Sequence, residues 1–548
     1  MRVPFFIVSC GVVLAILMLA LMWSPIVWLL ALVVPLIAVG VVDLLQTSHS
    51  IRRNFPLVGR GRWAMEAVRP FIRQYFMESE TDGAPVPRIF RSVVYQRAKG
   101  ANDTVPFGTK FDTYRDGYEW IAHSIAAVDA HGVEMKPVVR VGGPACTQPY
   151  DASLLNVSAM SFGSLSANAV KALNSGAYKG SFAHNTGEGG LSKHHLKHGG
   201  DLIWQIGTGY FGCRNDEGGF DAEKFRNNAV RETVRMIEIK LSQGAKPGHG
   251  GILPAIKNTP EIAEARDVKP GTLVASPPAH RAFSTPRELL QFVQQLRELS
   301  GGKPVGFKLC VGQESEVVAI CKAMVETGIT PDFITVDGGE GGTGAAPLEF
   351  TNSVGMPLRD GLAFVCDCLS GFGLKGDIRV IAVGKVFTAF HMVKNLALGA
   401  DLCYSARGFM LSLGCVQSLI CNTNHCPTGV ATQNPALSAG LVVTDKSERV
   451  ARYHDETLER LGEIVAAAGL ASAQDLNRTH VYRRINQHEY SRYDELFPYV
   501  DVGSLRLSPY PKRFERAMAE SSADTFQPVS NIARHAGGLA ELDVSASA

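Results

Sequence analysis

Apolar and polar positions follow one another along this chain in two different patterns. Val3–Trp23 is almost wholly apolar, Ser24-Pro25 interrupts, and Ile26–Val42 is apolar again. Each run approaches the roughly 20 residues that a helix needs to cross a bilayer. The pair predicts a transmembrane helical hairpin with a very short outer turn. From Leu154 onward the pattern changes to short apolar runs alternating with amphipathic ones. Runs 154–159, 181–185, 237–241, 272–275, 305–309, 333–336, 378–383 and 401–405 read as strands. Runs 167–178, 286–299, 315–327, 359–369 and 388–398 read as helices between them. Strands so separated predict an α/β fold, a parallel (β/α)8 TIM barrel. An open doubly wound sheet is the alternative, but no dinucleotide fingerprint opens a helix after the first strand. The expected organisation is a hairpin over 1–46, a membrane-proximal linking segment over 47–150, the barrel over 151–435, and a C-terminal helical extension with a mobile tail over 436–548.

The flanks orient the hairpin. Arg2 precedes the first run, and Arg52, Arg53, Arg60 and Arg62 follow the second. The positive-inside rule puts both flanks in the cytoplasm, which predicts an inner (cytoplasmic) membrane protein whose catalytic domain is cytoplasmic. Trp23 and Trp28 suit an interfacial belt near the outer turn. A cleaved signal peptide is the rival reading, but no small-residue cleavage site follows the first run. Residues 63–76 predict a helix kinked at Pro70, with Arg69 and Arg73 on one side. The basic residues here suit anionic headgroups. Residues 75–87 read as a loop, 138–141 as a short strand, 447–511 as helical and Arg-rich, and 521–548 as mobile.

Composition changes the picture in two places. Among 548 residues the net charge is only +2, so no electrostatic case exists for nucleic acid. The 11 cysteines are scattered and odd in number, which points to a reducing compartment rather than a disulfide framework. Three of them crowd together: Cys415, Cys421 and Cys426 are spaced C-x5-C-x4-C, and Pro427 follows. Crowded thiolates are soft iron–sulfur ligands, and three rather than four suit a 3Fe–4S cluster. Zinc is the weaker rival because it wants four ligands and His425 adjoins Cys426. Three ordinary buried cysteines are the plain alternative.

Barrel chemistry sits on loops at the carboxyl ends of strands, and the unusual residues fall there. Met160-Ser161-Phe162-Gly163, Asn185-Thr186-Gly187-Glu188-Gly189-Gly190 and Lys240 with the Gln243–Gly248 loop follow the first three predicted strands. Lys308 ends the fifth, Asp337–Gly344 follows the sixth, Gly384-Lys385 ends the seventh, and Ser405-Ala406-Arg407 ends the eighth. The last two ends are where barrels bind phosphate, with Lys385 and Arg407 adding charge. Lys308 could place positive charge at the N1–O2 edge of a flavin. Lys246, between an alanine and Pro247-Gly248, could bind a substrate carboxylate or act on its carbonyl. Either lysine could instead be structural. Glu188, between glycines, suits a site residue rather than a metal ligand. The loop 337–344 lacks the Gly-Lys-Ser/Thr ending of a P-loop, which excludes nucleotide hydrolysis. His194 and His198 share helical spacing but have no carboxylate companion, so channel or surface histidines are the plainer reading than a metal site.

These stretches resemble the FMN-binding synthase domain of glutamate synthase. The resemblance is carried by Ser158–Gly163, Asn185–Gly190, Glu238–Gly248, Gly342-Thr343-Gly344 through Pro347, and Cys415 through Gln433. It implies FMN at the barrel mouth, a 3Fe–4S cluster held by Cys415, Cys421 and Cys426, and reductive amination of 2-oxoglutarate with ammonia to L-glutamate. It further implies that Met160, Ser161 and Gln205 lie at the flavin, Lys308 at its N1–O2 edge, Lys246 on the 2-oxo acid, and Glu188 in the substrate loop. Gly342, Gly344, Gly384, Lys385, Ser405, Ala406 and Arg407 complete the expected cofactor site. The chain departs from the family at its front, where the hairpin stands in place of a glutamine amidotransferase domain, and after the seventh strand, where Asp-Gly-Gly becomes Val383-Gly384-Lys385. No NAD(P)H fingerprint is present, so electrons are expected from a ferredoxin-like or reductase protein. A quinone-linked dehydrogenase of an amino or hydroxy acid is the alternative, and a catalytically silent scaffold a third.

Overall fold

The computed structural model describes residues 2–101 and 104–529. They form two compact units that divide between Arg88 and Ile89. The second unit therefore begins inside the stretch that the sequence sets apart as a linking segment. The last part of the predicted mobile tail, 530–548, lies outside the described residues.

The first unit is helical. Helix Arg2–Ala20, a 3-10 turn Ser24–Leu29 and helix Leu30–Leu45 make the predicted hairpin. Arg2–Ala20 and Ser24–Leu45 are each long and apolar enough, by length and composition, to cross a membrane. The two helices touch where Gly40 meets the Phe5 ring, with no room there for a β-carbon. A short helix Ser50–Asn54 and a longer one, Val58–Ile72, follow. Pro70 lies inside the longer helix, and the ladder then widens into a π turn over Arg73–Met77. A proline lacks the amide that the α ladder needs, so one bond of the helix is missing at Pro70.

The second unit is built on a closed barrel of eight parallel strands. They are β1 Leu155–Val157, β2 His184–Asn185, β3 Leu202–Ile206, β4 Val234–Lys240, β5 Val305–Leu309, β6 Phe333–Asp337, β7 Arg379–Val383 and β8 Leu402–Ser405. Two expectations are corrected. Leu202–Ile206, all five residues buried, is the true third strand. Residues 272–275 are not in the barrel, since Val274–Ala275 pairs antiparallel with Ile252–Leu253 in a separate ribbon. A five-residue run buried on both faces has no alternation to reveal it, and Gln205 interrupts its apolar character. One omission and one false strand cancel, so the strands from β5 onward keep their expected positions. Lys240 ends β4, not β3.

The helix Val443–Ala467 packs against Ala167–Gly180, where Gly176 admits the Val450 side chain without space for a β-carbon. His454 Nε2 lies 2.9 Å from Ser153 Oγ beside β1. The stretch read as wholly helical also contains two strands, Val481–Arg484 and Tyr490–Arg492, which form an antiparallel sheet with Glu119–Ile121. Trp120 stacks on Tyr482 across that sheet at 5.6 Å, the kind of cross-strand aromatic pair that stabilises a sheet.

Candidate active site

A buried polar layer fills the barrel beneath its mouth. Glu238 on β4 is fully buried and accepts hydrogen bonds from Asn185 on β2 (2.8 Å), Gln205 on β3 (2.7 Å) and Thr335 on β6 (2.7 Å). A buried carboxylate needs such donors. Gln205, expected at the flavin, is thus fixed by the layer. Tyr404 on β8 is also buried, and among the described residues its hydroxyl has no partner.

Glu188 stands above this layer in the turn after β2. Gly187 sits at φ +66°, and a β-carbon there would lie 2.6 Å from the Ser161 nitrogen, so only glycine lets the turn press on Met160 and Ser161. Backbone closes in on the carboxylate from Gly207 and Gly251 as well. Lys240 Nζ lies 2.7 Å from Glu188 Oε1, and both side chains are largely buried. Burial pushes the Glu188 carboxyl up, but Lys240, Arg266 and Lys246 more than offset this and hold it below the usual carboxylate range. Glu188 is therefore ionised at neutral pH.

Lys246 is 4% exposed, and its ammonium donates to the Gly250 carbonyl at 3.1 Å. Burial lowers it from the ordinary lysine range, with Glu188 raising it and Lys240 lowering it. Arg266, also buried, donates to the Phe162 carbonyl (3.1 Å) and lies over the Phe211 ring. Burial lowers its guanidinium to about 10. Lys240, Lys246 and Arg266 thus set three cations against the single carboxylate of Glu188. Buried charge is costly unless paired, and this local surplus of two positive charges is the complement of a dianionic ligand. Lys308 stands apart, with its ammonium 3.4 Å from Asp337.

The ends of β7 and β8 hold a second group. Gly384 (φ +149°) and Lys385 (φ +50°) make the turn after β7, while the Ser405 hydroxyl donates to the Val386 carbonyl at 2.5 Å. Ala406 precedes a helix of six residues, Arg407–Ser412. Burial and Arg407 lower the Lys385 ammonium, and Glu340 raises it. Lys385 and Arg407 feel each other's charge, which favours an anion beside them, so the residues fit the phosphate of a flavin mononucleotide. The Arg407 guanidinium packs against Gly342 and also faces Cys421 and Cys415. A cavity of about 370 Å³ lies among Thr343, Gly344, Pro347, Arg407, Leu419 and Asn422, between the glycine loop and the cysteine loop.

In the cysteine loop, burial raises the Cys415 thiol to about 11. It raises Cys421 as well, with Cys426 adding to the shift. Cys426 is different: burial raises it, but the Thr428 hydroxyl and the amides of Ala431, Thr428 and Val430 bring it below the ordinary thiol value. Among the described residues no three metal-binding side chains converge on one ion. Cluster cysteines each bind a separate iron, so the donor set and the amide nest remain suited to a cluster. Two cations balance these sulfurs. One is Arg407. The other is Lys257, 3% exposed, whose ammonium donates to the carbonyls of Ser164 (3.2 Å), Cys421 (3.0 Å) and Ala431 (3.1 Å). Lys257 therefore ties the loop after β1, which carries Met160 and Ser161, to the middle of the cysteine loop and to the segment that follows it.

The sequence did not reveal Lys257, Arg266 or a role for Lys240. His195 is buried and bonded to Ser192, and His194 lies 3.0 Å from Glu261. Both serve local structure.

The chain is similar to several known proteins. A family profile for the conserved region in glutamate synthase matches residues 145–471. The glutamate synthase large subunit-like protein YerD of Bacillus subtilis (strain 168) is 36% identical over 84% of this chain and 97% of its own length. The archaeal-type glutamate synthase (NADPH) of Thermotoga maritima is 33% identical over 61% of this chain, which spans only 63% of that relative. Among solved structures, a variant flavocytochrome b2 with sulfite bound covers 72% of this chain at 14% identity and a TM-score of 0.41. The chain belongs to the glutamate synthase family of oxidoreductases.

Proposed function

We propose that this chain is a membrane-anchored flavin and iron–sulfur oxidoreductase of glutamate synthase type, which reductively aminates 2-oxoglutarate or a related 2-oxo acid to the amino acid. The observation that carries the reading is the surplus of two positive charges around Glu188, which suits a substrate with two carboxylates. Lys246 and Arg266 bind and orient those carboxylates. Glu188, ionised, accepts a hydrogen bond from ammonia and orients its nitrogen toward the 2-oxo carbon. Lys240 holds Glu188 in place and keeps it charged. FMN, held by Met160, Ser161, Lys308, Lys385 and Arg407, supplies the hydride when bound. Cys415, Cys421 and Cys426 would hold a 3Fe–4S cluster, which would supply a one-electron route from a donor protein, and the hairpin anchors the enzyme with its catalytic unit in the cytoplasm.

Purified anaerobically, the protein should be yellow-brown and release FMN on denaturation. With a reduced donor, ammonium and 2-oxoglutarate it should form glutamate. Lys246→Ala should abolish that turnover while FMN stays bound, and full activity in this variant would exclude Lys246 from the site. A flavin that quinone reoxidises and that ignores 2-oxoglutarate would instead establish the quinone-linked dehydrogenase, which the two apolar helices also suit.

A further inference from the structure

We infer that the helix Val58–Ile72 lies along the cytoplasmic face of an anionic bilayer and binds it as a second membrane contact beyond the hairpin. The inference rests on the membrane reading of that hairpin. Its basis is the distribution of side chains around the helix. At about 100° per residue, Val58, Met65, Val68, Phe71 and Ile72 fall within one arc of about 140°. All five are exposed, Val58 and Met65 at 71% and 67%, and the exposed aromatics Tyr75 and Phe76 follow in the π turn.

The opposite face is occupied. Trp63 packs edge-on against His49 at 5.3 Å, the Arg52 guanidinium covers its ring at 4.9 Å, and the Gly59 backbone lies against that of Ile51 and Arg52. Arg60 pairs with Asp43, at the end of the second apolar helix, at 2.8 Å. The helix is thus fastened by its polar side to the end of the hairpin, and its apolar side turns outward.

Charge selects the occupant. Residues 50–77 contain Arg52, Arg53, Arg60, Arg62, Arg69 and Arg73 against the single acid Glu66. Arg62 and Arg69 border one edge of the apolar arc, while Arg60, at the other edge, is taken up by Asp43. That is the arrangement of an interfacial helix, whose long cationic side chains reach to anionic headgroups while its apolar face enters the acyl boundary. A water-facing helix has no use for the arc, and a protein partner would not explain arginines bordering it directly after two apolar helices.

The test uses the full chain in vesicles of phosphatidylcholine with phosphatidylglycerol, carrying the photo-crosslinker p-benzoylphenylalanine at Met65, Phe71 or Glu66. Lipid adducts are expected at Met65 and Phe71 and none above background at Glu66. Omitting phosphatidylglycerol, or combining Arg62→Glu with Arg69→Glu, should cause their loss. Crosslinks from Met65 and Phe71 to protein, whether a second copy or the catalytic unit, would overturn the inference, as would equal adducts at all three positions. Extraction by alkaline carbonate separates the two readings. A chain that resists the wash but lacks Met65 adducts overturns the interfacial helix and leaves the hairpin standing, whereas a chain that leaves with the wash overturns both.

Discussion

Replacing Glu188 by glutamine should lower turnover of the 2-oxo acid by about one to two orders of magnitude, the worth of a hydrogen bond to a charged group, with the fold intact. Glutamine keeps the shape that Gly207 and Gly251 enclose and still accepts from Lys240, 2.7 Å away in the native protein. What it loses is the negative charge. A pH profile gives a second readout. Burial already lowers Lys246, and Glu188 is the group that raises it. Without that carboxylate the lysine deprotonates at a still lower pH. Because the charged ammonium is what binds a carboxylate, the alkaline limb of kcat/KM should move toward neutrality. The shift separates Glu188 from a residue that merely packs, since a packing defect lowers activity without moving the limb. Native turnover with an unmoved limb would remove Glu188 from the mechanism.

Which parts of this site could be read from sequence follows from where the information lies. Glu188 and Lys246 stand out because glycine and proline around a charged residue mark a loop that approaches something closely. The cysteines stand out by spacing. Lys257 has no such mark: Ala255-Ile256-Lys257-Asn258 reads as an ordinary polar turn, and its burial arises only when the loops after β1 and β8 close over it. Arg266 ends the helix Pro260–Arg266, where a cation normally faces water. Lys240 was visible at a strand end, but its role needed Glu188 beside it. Arg407 shows the converse. It was read as a phosphate ligand from its place after β8, and its side chain also reaches the glycine loop and the cysteines. The barrel was legible because period and length distinguish its strands from its helices. The sheet joining Glu119–Ile121 to Val481–Arg484 was not, because its pairing spans most of the chain and leaves no local trace.

Lys257→Met should have the second large effect, on the cysteine loop. Methionine fills a similar volume but donates nothing, so three carbonyls lose their shared partner in a buried place. Each such group left unsatisfied costs about 1–3 kcal/mol. The loss falls on the contacts that join the Ser164 loop to Cys421 and Ala431, while Glu188, Lys240 and Lys246 keep theirs. Iron should therefore be depleted from the purified variant while FMN is retained. The charge itself has a separate consequence. A buried cation beside Cys421 and Cys426 favours the more negative, reduced state of whatever those sulfurs hold. In any fraction that keeps its iron, the midpoint potential should fall, and a tenfold change in the reduced-to-oxidised ratio corresponds to about 59 mV for one electron. Lys257→Arg restores the charge, so it should recover the potential even where its larger head disturbs the three contacts. A Lys257→Met protein with full iron and the native potential would show that neither the strut nor its charge acts on the cysteine loop.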